Sequence, residues 1–122
     1  RPVHSLQLVV QDDIDHRYKH ADRHVLDKAF ALRDTADDVL IVRHGLLTDT
    51  SIANIALWDG CEWHTPAQPL LAGTQRRYLL DTGQIKETDI PVASLGNYRH
   101  IRLFNALNFG EVELPVGQIC MY

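Results

Sequence analysis

The sequence predicts an α+β, or mixed α/β, domain that combines a hairpin-rich sheet with two main helices. Three observations point to this fold class. Short apolar runs of strand length recur along the chain, only two segments have helical periodicity, and an Asp-Gly pair stands between two of the runs. The predicted elements follow the order β-α-β-β-β-α-β-β-β within 122 residues, which is the size of a single domain.

The first half of the chain is predicted to contain three strands and one helix. Residues 5–10 alternate in polarity and end in two valines, and residues 39–42 are apolar throughout, which is typical of a strand buried on both faces. The third strand is predicted at 52–58, after a turn at His44-Gly45. A helix is predicted at 21–33, where one apolar stripe comprises Val25, Leu26, Ala29, Phe30 and Leu32.

The second half is predicted to contain a hairpin, a helix and three strands. The Asp-Gly pair at 59–60 predicts a turn between the strand at 52–58 and residues 61–64, and Thr65-Pro66 closes this hairpin. Residues 73–82 predict the second helix, and Gly83 suits the left-handed conformation that follows a helix end. The side chains predicted to face inward are Tyr78, Leu79 and Leu80. The remaining strands are predicted at 85–90, 101–104 and 112–114.

Composition argues against several classes of function. The net charge is −4 and the pI is about 5.9, so no basic face is implied for nucleic acid or an anionic membrane. No apolar run approaches the ~18 residues that a membrane span needs, and the first residues do not resemble a signal peptide. Cys61 and Cys120 are too few for a disulfide framework, which favours free thiols and a cytoplasmic protein. Cys61 is expected in the core.

Three histidines, His16, His20 and His24, are spaced four residues apart. On one continuous helix they would share a face that could bind a metal ion. A solvated helix surface is the favoured interpretation, because the mainly acidic segment at 12–15 is a poor start for a helix in that register. The remaining histidines lack ligand spacing, so no metal site is predicted.

Three further segments have neighbourhoods that suit cofactor chemistry. Lys19 lies between a predicted strand and a predicted helix, where a lysine is usually solvated but could form a Schiff base if its pKa were lowered. Residues 71–76 open the second helix with glycine and threonine, so free backbone N–H groups there could hold a phosphate. Asp49 precedes a predicted strand, where it could cap a turn or accept a hydrogen bond from a cationic ring nitrogen.

In their order along the chain, these segments resemble the motifs of a known family. The matching segments are Lys19-His20-Ala21-Asp22-Arg23, Asp49-Thr50-Ser51-Ile52-Ala53-Asn54-Ile55, Thr65-Pro66, Leu71-Ala72-Gly73-Thr74-Gln75-Arg76 and Asn105-Ala106-Leu107. From about residue 6 to residue 119, the chain is identified as a member of the class IV aminotransferase family of pyridoxal-phosphate (PLP) enzymes, fold type IV. Within this family it is most similar to the aminodeoxychorismate lyases. Asp49 stands where the family usually has Glu, and Asp22 stands where the lyases have Asn.

The resemblance implies a role for each matching residue. Lys19 would carry the cofactor and transfer protons, and the Asp49 carboxylate would face the pyridine nitrogen and keep it protonated. Backbone N–H groups of Thr74 and Gln75 would bind the phosphate. The implied cofactor-binding residues are Lys19, Asp49, Asn54, Gly73, Thr74, Gln75, Asn105 and Ala106, and the implied substrate residues are Arg23 and His24.

The resemblance also implies an activity and an assembly. The expected reaction releases pyruvate from 4-amino-4-deoxychorismate to give 4-aminobenzoate, a folate precursor. One alternative is an aminotransferase for branched-chain or D-amino acids, although branched-chain enzymes resemble Lys-x-x-x-Asn-Tyr where this chain has Arg23-His24. Another is a non-catalytic remnant of the fold.

A homodimer that acts on a small-molecule amino substrate is expected. The chain would correspond to the larger C-terminal PLP-binding domain of the D-amino-acid aminotransferase-like fold. The family's small N-terminal domain would be absent from residues 1–122.

Overall fold

The computed structural model describes residues 3–12, 23–106 and 112–121, with the backbone alone given for residues 23–25. The strands are β1 (Leu6–Val10), β2 (Asp38–Arg43), β3 (Leu46–Leu47), β4 (Asn54–Trp58), β5 (Trp63–Pro66), β6 (Lys86–Thr88), β7 (His100–Phe104), β8 (Val112–Pro115) and β9 (Ile119–Cys120). The helices are α1 (Arg23–Phe30) and α2 (Thr74–Asp81), with 3₁₀ turns at Val92–Asn97 and Val116–Gln118. None of the helices in the described ranges is long and apolar enough to cross a membrane.

The strands form two sheets. The first has four strands in the order β3-β2-β1-β9, in which β1 pairs in parallel with both β2 and β9. The second has five strands in the order β6-β5-β4-β7-β8, and its pairs are antiparallel except for β5 with β6. Parallel pairs need long connections, and α1 supplies the one between β1 and β2.

The main core lies between the two sheets, because alternate residues of the strands in both sheets contribute to it. Its buried members are Leu6, Leu8, Leu40, Val42, Leu47, Ile55, Leu57, Ile90, Leu95, Ile101, Leu103, Leu114 and Ile119. The opposite face of the first sheet packs against α1 through Val9, Leu26, Ala29, Val39, Ile41 and Leu70. The opposite face of the second sheet packs against α2 through Ala56, Leu79, Ile85 and Phe104. The layers are therefore helix, sheet, sheet and helix.

Several local predictions are confirmed. Val39–Val42 lies within β2, where all four side chains are at most 1% exposed, as expected for a strand covered on both faces. Gly83 has a φ of 74° directly after the capping residue of α2. Gly45 and His44 both have positive φ, at 78° and 52°, in the turn between β2 and β3.

The strand boundaries and the number of sheets differ from the prediction. β4 begins at Asn54 and not at residue 52, because Thr50 Oγ1 accepts hydrogen bonds from the N–H groups of Ile52 and Ala53 and turns the chain. β6 is likewise shorter than the predicted 85–90. β3 and β9 are too short to show a periodicity in the sequence, and β9 joins β1 from the far end of the chain.

The hairpin between β4 and β5 has a longer turn than the Asp-Gly pair predicts. Asp59 Oδ1 accepts hydrogen bonds from the N–H groups of Cys61 and Glu62 at 2.7 and 2.8 Å, so these residues belong to the turn. β5 therefore begins at Trp63, and the prediction that Cys61 lies in the core is wrong because its side chain is exposed.

Both helices are shorter than predicted. α1 ends at Phe30 and not at 33, which leaves Leu32 57% exposed, while Leu26 and Ala29 are buried as expected. In α2, Leu79 is 6% exposed and Tyr78 is 52% exposed, so the inward prediction is wrong for Tyr78. The side chains of adjacent helical residues point about 100° apart, so Tyr78 faces solvent when Leu79 faces the core.

Candidate functional site

A cavity of about 360 Å³ opens where the segment between β3 and β4, the loop before α2 and the end of β7 meet. This volume lies within the usual range for small-molecule sites. Its lining residues are Leu26, Asp49, Thr50, Ser51, Ile52, Ala53, Asn54, Leu70, Leu71, Gly73, Asn105 and Ala106. The structure thus brings together five of the residues that the sequence predicts for the site, namely Asp49, Asn54, Gly73, Asn105 and Ala106.

Backbone groups of β2 and of the loop before α2 hold Asp49 in the wall of the cavity. Its carbonyl accepts a hydrogen bond from Ile41 N–H at 2.9 Å, which joins residue 49 to β2. Its Oδ2 accepts hydrogen bonds from the N–H groups of Leu70 and Leu71 at 3.0 and 3.1 Å. Its Oδ1 is buried and has no hydrogen-bond partner among the described residues. One carboxylate oxygen therefore anchors the loop before α2, while the other has no donor within the described ranges.

Burial raises the pKa of Asp49 to about 7. Only 3% of the residue is exposed, and removing a carboxylate from water disfavours its charged form. The hydrogen bond from Leu71 N–H, the nearby Thr48 hydroxyl and the positive charge of Arg76 offset part of this effect. The Thr48 hydroxyl itself donates to the carbonyl of Ile41 at 2.8 Å. A proton donor placed against Oδ1 would favour the ionised carboxylate further.

Asn54 and Gly73 meet at the start of α2. Asn54 Nδ2 donates to the carbonyl of Leu71 at 2.6 Å, and Asn54 Oδ1 accepts a hydrogen bond from Gly73 N–H at 3.1 Å. Gly73 is the N-cap residue of α2 and, as a glycine, supplies no side-chain cap. Thr74 and Gln75 form the first turn but do not line the cavity, and the Gln75 Nε2 atom is buried without a partner among the described residues. The first turn of α2 contains no acidic residue.

The end of β7 forms another side of the cavity. Asn105 Nδ2 donates to the carbonyl of Ile52 at 3.3 Å, and Ala106 is exposed beside it. This contact places the Asn-Ala segment against the turn that precedes β4.

The buried carboxylate of Asp38 is a residue that sequence reasoning missed. Its Oδ1 accepts hydrogen bonds from the Ser51 hydroxyl and from Val39 N–H, both at 2.7 Å. Burial raises the pKa of Asp38, and these hydrogen bonds oppose the rise. The contact fixes Ser51, a lining residue of the cavity, to the start of β2. A charged residue directly before a fully apolar run was the available signal in the sequence.

Several predicted site residues lie outside the part of the chain that the structure describes. Lys19, His16 and His20 fall in residues 13–22, outside the described ranges. Arg23 and His24 begin α1, and their side chains are not described.

A second cluster of polar side chains lies at the β4–β5 hairpin, away from the cavity. Ligand atoms of Asp59, Glu62 and His64 lie within 4.8 Å of one another, although no ligand spacing was recognised for His64 in the sequence. Lys86 Nζ lies 2.9 Å from Glu62 Oε1, and His64 Nδ1 lies 2.8 Å from the hydroxyl of Tyr98. Hydrogen bonds from His64 and Lys86 lower the pKa of Glu62. The carboxylate is thus already paired with cationic and polar neighbours.

The fold and the cavity define an α+β domain whose candidate ligand cavity contains a buried carboxylate beside a helix N-terminus. The family model for amino-transferase class IV matches residues 3–114, so the chain belongs to this family.

Solved and curated relatives agree with this assignment. The crystal structure of "a putative 4-amino-4-deoxychorismate lyase" from Haemophilus somnus 129PT superposes with a TM-score of 0.82 at 36% identity, over 88% of this chain and 56% of that one. The "Putative aminodeoxychorismate lyase" of Schizosaccharomyces pombe is 38% identical over 77 residues, which is 58% of this chain and 33% of that protein.

A "hypothetical aminotransferase" from Mycobacterium tuberculosis, solved in a PLP-bound form, shares the fold with a TM-score of 0.73 at 19% identity, over 98% of this chain and 48% of that one. The chain spans about half the length of the solved structures that it matches.

Proposed function

We propose that the protein containing this chain is a PLP-dependent lyase that converts 4-amino-4-deoxychorismate into 4-aminobenzoate and pyruvate. The family assignment supports PLP chemistry in general. The two relatives named as aminodeoxychorismate lyases, at 36% and 38% identity, favour this reaction within the family.

The observation that carries the proposal is the divided role of the Asp49 carboxylate. Oδ2 is fixed by two backbone N–H groups, and Oδ1 is buried in the wall of a ligand-sized cavity and has no donor among the described residues. A buried acceptor without a partner is costly, and the protonated nitrogen of a pyridine ring is a donor that would satisfy it. Asp49 therefore fits the residue that holds the ring nitrogen of PLP in its protonated form.

The start of α2 fits the other end of the cofactor. Gly73 lines the same cavity as Asp49, and as the N-cap residue it supplies no side-chain acceptor to the N–H groups of the first turn of α2. Such groups and the helix dipole favour an anion, and the absence of acidic residues in this turn leaves that preference unopposed. A phosphate would thus be bound by the backbone of Thr74 and Gln75.

When bound, PLP withdraws electrons from the substrate carbon that carries the amino group. The family resemblance assigns Lys19 as the residue that attaches the cofactor and moves the proton at that carbon. Asp49 acts by keeping the ring nitrogen protonated, and Arg23 and His24 are proposed to contact the substrate. The activity, the amino substrate and a homodimeric assembly are proposals for the whole protein.

The proposal is tested by incubating the intact protein, loaded with PLP, with 4-amino-4-deoxychorismate. We expect 4-aminobenzoate, followed by its fluorescence, and pyruvate, followed with lactate dehydrogenase, to appear in equal amounts. Asp49→Asn is expected to keep the fold and most of the PLP content while turnover falls sharply.

Two other results would contradict the lyase assignment. Transfer of an amino group from a branched-chain or D-amino acid to 2-oxoglutarate, without 4-aminobenzoate formation, would make the protein an aminotransferase. Stable PLP binding with no turnover of any of these substrates would make it a non-catalytic member of the family.

A further inference from the structure

The side chain of Asn54 spans the loop that leads into α2. Its Nδ2 donates a hydrogen bond to the carbonyl of Leu71, and its Oδ1 accepts a hydrogen bond from the N–H of Gly73. Asn54 is only 6% exposed, and its backbone is paired with Phe104 at the start of β4. The position of the loop is therefore set by a side chain from the centre of the second sheet.

The contact with Asn54 explains why residue 73 is glycine. The backbone angles of Gly73, φ −77° and ψ 163°, are open to any amino acid. A Cβ on Gly73, however, would lie 2.8 Å from Asn54 Oδ1, and the next heavy atom, Asn54 Cγ, lies at 4.0 Å. Real Cβ atoms do not approach other atoms as closely as 2.8 Å. Any larger residue would thus push the amide away from the loop.

Two side chains of one segment hold the same loop at two points. Asp49 Oδ2 binds the N–H groups of Leu70 and Leu71, and Asn54 binds the carbonyl of Leu71 and the N–H of Gly73. Asn54 Oδ1 uses the N–H of Gly73 itself, and Gly73 supplies no side-chain cap to the helical turn that follows.

We infer that Asn54 is a positioning residue that holds the turn at Gly73, so that the N-terminus of α2 receives the cofactor's phosphate, and that its amide makes its hydrogen bonds to the loop and not to the cofactor. This inference rests on the proposed function, and it replaces the direct cofactor contact that the family resemblance implies for Asn54. The side chain acts through the loop, so its loss affects the phosphate end of the ligand and not the ring end.

The test compares pyridoxamine 5′-phosphate with pyridoxamine in the intact protein, by calorimetric titration. Both are amines, so neither forms a Schiff base with Lys19, and they differ only in the phosphate. In Asn54→Ala, we expect the affinity for the phosphorylated ligand to fall about tenfold or more and that for pyridoxamine to change less than about twofold. The exposed Asn97 provides the matched control, and Asn97→Ala should leave both affinities unchanged.

A double-variant cycle tests the contact itself. Gly73→Ala should weaken the phosphorylated ligand selectively, because the new Cβ displaces the amide of Asn54. In Asn54→Ala the atoms that Cβ would meet are absent, so adding Gly73→Ala should cause little further loss. Gly96→Ala is the matched control, since a Cβ there meets nothing within 4 Å.

Thermal melts first establish that each variant is folded. Equal losses for both ligands, or no loss for either, would overturn the inference and leave the proposed function standing. Fully additive losses in the double variant would overturn the role of the Asn54–Gly73 contact. If Asn54→Ala does not fold, Gly73→Ala carries the test. Failure of the unmodified protein to bind either ligand would overturn the proposed function and the inference with it.

Discussion

Replacing Asp49 by Asn should change how the stability of the cofactor-free protein depends on pH. Burial raises the pKa of Asp49 from 3.8 to about 7, so the folded chain holds this proton more tightly than the unfolded chain does. The stability contributed by the protonated carboxyl is fully present below pH 3.8 and is lost as the pH rises through about 7. An amide at this position has no proton to lose in that window.

The size of the effect follows from the pKa. A rise of about three pH units, at 1.36 kcal/mol for each, corresponds to roughly 4 kcal/mol when the carboxyl is fully ionised. About 2–3 kcal/mol of this falls between pH 5 and pH 8, because the carboxyl in the unfolded chain is already ionised at pH 5. The free energy of unfolding of the unmodified protein should therefore drop by about 2–3 kcal/mol relative to Asp49→Asn across this interval.

Urea unfolding of both cofactor-free proteins at the two pH values measures this difference. Other carboxyl groups with shifted pKa values, such as Asp38, Asp59 and Glu62, are present in both proteins, so their contributions cancel. Asp89→Asn, at an exposed carboxyl, controls for the loss of a charge elsewhere. A difference between Asp49→Asn and the unmodified protein that is the same at pH 5 and pH 8 would show that the folded chain does not hold the Asp49 proton more tightly than the unfolded chain.

Two further predictions concern α2. Arg76 is 4% exposed and donates to the carbonyl of Pro66 and to Glu87, so Arg76→Gln should lower the free energy of unfolding by about 2–4 kcal/mol. Glu87→Gln keeps a hydrogen-bond acceptor beside Arg76 and should therefore cost less than Arg76→Gln, and equal losses in urea unfolding would contradict this explanation. Gln75→Ala should leave PLP affinity nearly unchanged, whereas Gln75→Pro, which removes one N–H donor, should weaken it by about 1.5–3 kcal/mol. Equal losses on titration with PLP would place the phosphate elsewhere.

The parts of the fold that depend only on residues close together in the sequence could be predicted from it. The apolar run of β2 and the glycine after α2 act through local periodicity and local backbone angles, and both are confirmed. The division into two sheets depends on the pairing of β1 with β9, from opposite ends of the chain, and on the turn at Thr50. Neither leaves a periodic pattern in the sequence.

The candidate site was predictable to the extent that its residues occur in ordered motifs. Asp49, Asn54 and Gly73 could be singled out in this way, and the structure places all three around one cavity. What the sequence could not show is which atoms meet, since the Asn54–Gly73 contact and the link between Asp38 and Ser51 join segments far apart in the chain. Such contacts arise only when the sheets are packed.

The site of covalent attachment of PLP shows directly whether Lys19 carries the cofactor. The chain contains three lysines, Lys19, Lys28 and Lys86. We expect the intact protein with PLP to absorb visible light, borohydride to remove this absorbance, and mass spectrometry then to locate the adduct on the peptide containing Lys19. Lys19→Ala should abolish both signals. An adduct on Lys28 or Lys86, or absorbance that persists in Lys19→Ala, would contradict the account.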